Sequence, residues 1–202
     1  MFKNLLFLSF ILTLIIGSCT PKVHPFVSAT TETVYVKPLS KMAQKDSFPY
    51  SWFGNWVGNL EIYNSKGLSQ TVPMEMVIGA TDTAGVFQWN IIYGTDRVKG
   101  LRPYLLRTID AKKGIYLNDE KNSIKMETYL FGNKLLCTYI VQGNFLTTIE
   151  EKEGDKLKFE IIFGKEKPVS VTGEGIADGD TITPVKTMPV VINQRAVLTR
   201  KM

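Results

Sequence analysis

From Trp52 onward, apolar and polar residues alternate with a period of two, as they do in strands that bury one face. In "VFQWNIIY", Phe87, Trp89, Ile91 and Tyr93 share a face, while Gln88 and Asn90 lie on the other. "TVPMEMVI" groups Val72, Met74, Met76 and Ile78, and "KLKFEIIF" groups Leu157, Phe159, Ile161 and Phe163 against Lys158 and Glu160. The pattern predicts strands over 55–63, 70–78, 86–93, 104–110, 114–118, 123–131, 134–141, 145–151, 156–163, 181–187 and 190–199. Between them stand "DAKKG", "FGNK", "QGNF", "KEGDK" and "ADGDT", rich in residues that tolerate positive φ and so suit hairpin turns. No stretch sustains a helical period, and no segment repeats.

Short strands at such regular spacing belong to a sandwich or a barrel. Most connections are too short for Greek-key crossovers, so each strand should pair with its chain neighbours. A sheet that long curls, and closure removes its exposed edges. The expected fold class is all-β: one up-and-down antiparallel barrel of about 8–10 strands.

The first strand opens "FGNWVGNLEIY", with Gly54 and Trp56 in a Gly-x-Trp arrangement, and the chain closes "AVLTRKM", with Arg200. This pairing resembles the lipocalins and related calycin barrels. The resemblance implies that Trp56 plugs the closed end and that Arg200 packs across it from the last strand. A helix before the last strand and a second Thr-Asp-Tyr signature are both missing, so the likeness is to the broader group of lipocalin-like barrels found in many small bacterial lipoproteins. Some of that group carry haem through a histidine. The only histidine here, His24, lies outside the strand region, so that activity does not transfer.

The apolar faces point inward and offer Met74, Met76, Phe87, Trp89, Ile91, Tyr139 and Phe159 as a ligand lining, with Leu135, Cys137 and Val141 beside them. A small barrel either fills with such side chains or holds one ligand. Two methionines on one face suit an adaptable pocket. Arg107 and Glu127 interrupt strands; facing inward they would clamp a polar group, facing outward they are solvated. Asp178 and Asp180 sit beside glycines, but their spacing matches no complete calcium loop, and a solvated turn is the plainer reading.

The N-terminus sets the address. Lys3 precedes an apolar run from Leu5 to Ile16, then Gly17 and Ser18, the layout of a secretory signal. Twelve helical residues span about 18 Å, too little for the roughly 30 Å of a bilayer core. Ile16-Gly17-Ser18-Cys19 resembles the lipobox of bacterial lipoproteins, which implies cleavage before Cys19 and its acylation. At about 0.8 kcal/mol per buried methylene, several acyl tails hold permanently. Thr20 follows where an acidic residue often retains lipoproteins at the inner membrane, which favours the outer membrane. The expected division is a signal over 1–18, a lipidated N-terminus and flexible tether over 19–50, and the barrel over 51–202.

Charge and cysteine content narrow the function. The formal net charge of +5 falls by one with Lys3, and the lysines are interspersed with carboxylates, so no nucleic-acid surface is expected. With Cys19 lipidated, Cys137 is left alone in an apolar strand as an inert thiol. No histidine-based catalytic set can form in the strand region, and no enzyme, metal or cofactor is expected. Two readings stand: a membrane-tethered binder of a small apolar or amphipathic molecule, or a solid barrel that serves the envelope as a structural or protein-interaction module.

Overall fold

A computed structural model describes residues 46–201 of the chain. A single 3-10 turn, Tyr50–Trp52, precedes fourteen strands. The first nine are β1 (Gly54–Asn64), β2 (Gly67–Ala80), β3 (Val86–Tyr93), β4 (Leu101–Asp110), β5 (Ile115–Asp119), β6 (Lys125–Phe131), β7 (Lys134–Val141), β8 (Asn144–Glu153) and β9 (Lys156–Lys165). Four short ones follow, β10 (Ser170–Thr172), β11 (Gly175–Ala177), β12 (Asp180–Ile182) and β13 (Val185–Thr187), and β14 (Val190–Arg200) ends the series.

Ten of these strands close into an antiparallel barrel in the order β1-β14-β9-β8-β7-β6-β5-β4-β3-β2. The all-β class, the up-and-down order and the closure agree with the expectation from alternation. Hairpin chemistry sets the register. Gln142 and Gly143 both have positive φ (49° and 71°), the twist a two-residue hairpin requires, and they join Val141 to Asn144. Once that turn is fixed, Cys137 must face the level of Thr148, and Leu135 that of Glu150.

One stretch departs from the expected pattern. The single strand expected over 181–187 is two short ones, β12 and β13, separated by Thr183 and Pro184. Proline cannot donate to a ladder and so interrupts it. β12 pairs with β11 and β13 with β10, giving a nested two-stranded arm inserted between β9 and β14. Every residue in these four strands is exposed. At the arm's base, the Lys165 N–H donates to the Pro189 carbonyl at 3.1 Å, so the barrel wall is continuous beneath it.

The folded body also begins earlier than the boundary at residue 51. Phe48 and Tyr50 pack against the core. The Phe48 ring lies 5.0 Å from Trp52 and 4.9 Å from Tyr116, both edge-on. The signal, Cys19, His24 and the tether through residue 45 lie outside the described residues.

Candidate functional site

The end of the barrel where β1 begins is sealed. Trp56 is 0% exposed, and its indole N–H donates to the Trp52 carbonyl at 2.8 Å. Arg200 is its register partner on β14, and the guanidinium carbon stands 4.6 Å from the indole centroid. At an exposed site such a cation contributes about 0.5–1 kcal/mol. Gly54 makes the approach possible. Its φ is +150°, and a Cβ there would come within 3.2 Å of Arg200 Nε. Phe48 and Trp52 then cover the end from outside the strands, with Trp52 5.9 Å from Trp89.

Burial along the lumen is asymmetric. Of the expected ligand lining, Met74, Met76, Phe87, Trp89, Ile91 and Phe159 are packed in the core, while Tyr139 is half-buried. Toward the other end Ile62, Tyr93, Tyr104, Met126, Ile161 and Ile192 are half-buried, while Asn144, Leu146, Phe163 and Gln194 among them are buried. Packing is therefore continuous around Trp56 and looser at the other end, where buried and half-buried positions are interspersed. Burial raises the phenols of Tyr93, Tyr104 and Tyr139 well above their ordinary range, so all three stay protonated donors.

A hydrogen bond spans the barrel where the two halves meet. The Trp89 indole N–H donates to Glu150 Oε2 at 2.9 Å. Trp89 is on β3 and Glu150 on β8, five places apart in a ring of ten, hence on opposite walls. Glu150 is 8% exposed. Desolvation pushes its carboxyl up to about 7, with the Trp89 bond acting in the opposite sense. Cys137 stands nearby, and burial pushes its thiol up to about 11, far from the thiolate needed for nucleophilic work. Glu120, also raised by burial, accepts from Asn122 Nδ2 at 3.3 Å, and Tyr104 favours its charged form through a side-chain hydrogen bond.

Beside the Trp89–Glu150 bond lies a cavity of about 10 Å³ lined by Asn118, Thr128, Cys137, Thr148 and Glu150, with Trp89, Leu106 and Leu135 completing it. That is close to the smallest space able to hold one water. Asn118 Oδ1 is buried and no protein donor reaches it. Thr128 Oγ1 is engaged with the Leu136 carbonyl at 2.9 Å.

The remaining candidates lie away from the lumen. Arg107 is on the outer face and pairs with Asp119 at 2.8 Å. The Lys121 backbone N–H, and then Arg107, hold the Asp119 carboxyl below its usual range. Glu127 is exposed and accepts from the Tyr129 hydroxyl at 2.5 Å. Asp178 occupies the arm's tip with φ +52°, and Asp180 opens β12. The groups that single out the lumen, Glu150, Asn118, Tyr104 and Glu120, were not among the sequence candidates. The Gln142-Gly143 turn could have found Glu150, because it places that residue on the face of Leu135 and Cys137. In comparison with known proteins, the chain matches no protein-family model and no curated protein.

Proposed function

We propose that this chain is a lipid-anchored protein of the bacterial envelope, held by acylated Cys19, whose lipocalin-like barrel takes a small apolar or amphipathic molecule through its open end. It is a binding protein and not an enzyme. The observation that carries the reading is the looser packing at that end: inward side chains are sealed around Trp56 and only half-buried at Tyr93, Tyr104 and Tyr139. The ligand lies in the open half, over the Trp89–Glu150 bond, and the packed residues below serve as its floor. A body that ends there is amphipathic in the right sense, apolar at Ile62, Met126 and Ile192 and polar at the tyrosines.

The alternative of a solid interaction module draws support from the filled half and from the apolar side chains exposed on the arm, Val171, Ile176 and Val185 among them. One experiment separates the two. The chain carrying Cys19→Ser is purified from its native host and sprayed under native conditions, and the spectrum is searched for non-covalent adducts. Adducts of a small molecule that vanish when Tyr93 and Tyr139 are both changed to Trp support the binding reading. A bare mass at every step, together with no uptake of amphipathic fluorescent probes, rules it out.

A further inference from the structure

The open lumen ends on a polar group that the packed core does not need. Small barrels seal their floors with aliphatic side chains, as this one does at Leu157 and Leu198. On the β5–β8 wall, however, the space beside the Trp89–Glu150 bond is rimmed by an asparagine, two threonines, a thiol and a carboxyl group.

We propose, resting on the binding function above, that this cavity is a hydroxyl site: it holds one water in the free protein and the hydroxyl group of an apolar alcohol in the complex. Three observations converge on that chemistry. The volume, about 10 Å³, admits one oxygen with its hydrogens and nothing larger. Asn118 Oδ1 is buried without a protein donor and therefore calls for a group that donates. Glu150, with its carboxyl beside the cavity, is uncharged over the acid half of the neutral range, so it offers both an O–H and an acceptor.

A group that both donates and accepts matches this set. An ether oxygen accepts only and leaves Asn118 Oδ1 unmet. A carboxylate places negative charge against that same oxygen and against the Glu150 acid. An ammonium group enters only if Glu150 gives up its proton and both charges are desolvated, a pairing that at best breaks even. Water exchanges for an alcohol at small cost because the alcohol reproduces the hydrogen bonds of the water it displaces. The alkyl body then extends toward the half-buried Ile62, Met126 and Ile192.

The test uses the full chain with Cys19→Ser, so that no acyl tail of its own competes for the lumen. At pH 6, 1-octanol and its isomer 1-methoxyheptane are titrated against intrinsic tryptophan fluorescence; the two match in formula and differ in the donor. Octanol should bind at least tenfold more tightly. Asn118→Leu should erase that preference while leaving ether affinity unchanged or improved. Equal binding of the two isomers by the unaltered chain overturns the hydroxyl site and leaves the binding function standing. So does a preference that survives Asn118→Leu. Binding of neither isomer overturns both. Because the isomer comparison needs no substitution in the cavity, it decides the matter even if Asn118→Leu does not fold.

Discussion

Replacing Glu150 by Gln removes a titrating proton from the middle of the barrel while keeping an oxygen to accept from Trp89. In the folded chain the Glu150 carboxyl is pushed up to about 7, against 4.5 when solvated. Between those two values the folded protein holds a proton that the unfolded chain has already released. Rising pH therefore favours unfolding across that interval, and the effect levels off below about pH 4.5 and above about pH 7. At 1.36 kcal/mol per pH unit, the loss is roughly 3 kcal/mol. Other carboxylates titrate with the opposite sign, Asp119 among them, so the informative quantity is the difference between parent and variant. Urea denaturation followed by far-ultraviolet circular dichroism from pH 4 to 8.5, on chains carrying Cys19→Ser, measures it. The stability of Glu150→Gln minus that of the parent should climb by roughly 3 kcal/mol between pH 4.5 and 7 and stay flat outside that window. A difference independent of pH, or one that falls, would refute the neutral buried acid and with it the account of the lumen floor.

Three further outcomes follow from the geometry. Cys19→Ser should move the protein from the membrane pellet to the soluble fraction, as read by fractionation and immunoblot; retention in the pellet would count against lipid anchoring. Trp56→Ala should cost about 3–5 kcal/mol as the loss of a sealed aromatic, whereas Arg200→Ala should cost only about 0.5–1 kcal/mol, the value of an exposed cation over a ring; chemical denaturation that ranks them equally would mean the indole is not the main seal. Replacing residues 168–187 by a short turn should leave stability within about 1 kcal/mol, because the arm's strands are exposed throughout and surface changes are usually small; loss of the cooperative transition would show that the arm braces the wall between β9 and β14.

Alternation alone made the faces of β2, β3 and β9 legible, since one apolar row per strand left no choice about which side turned inward. It failed where tertiary contact overrides local pattern. Phe48 and Trp52 lie in and beside a proline-containing run that looks like tether, and nothing local indicates that their rings will lie against Tyr116 and Trp89. Residues 181–187 read as one strand because β-branched residues outnumber Pro184, yet they divide at that proline into two sides of a ribbon. The depth of the lining was illegible for another reason. Bulk and apolarity identify what can face a lumen, but not how far along it the packing stops.

Glu150 is the sharpest case, since it breaks the rule that otherwise predicts the fold. In "TIEEKE" the apolar Ile149 faces outward and the acid faces in. Sliding β8 by one residue would bury Ile149 and solvate Glu150, and would be favoured locally by the hydrophobic gain together with relief of the desolvation. The slip is prevented because the Gln142-Gly143 turn and the pairing of β8 with both neighbours fix the register. A register held against local preference places a carboxylic acid across from Trp89 and beside an asparagine oxygen without a protein donor. Departures of this kind concentrate at functional sites, where stability is given up for chemistry. The part of the barrel that is worst as core is therefore the part best suited to meet a ligand, and the same groups that weaken it as pH rises are those that would recognise one.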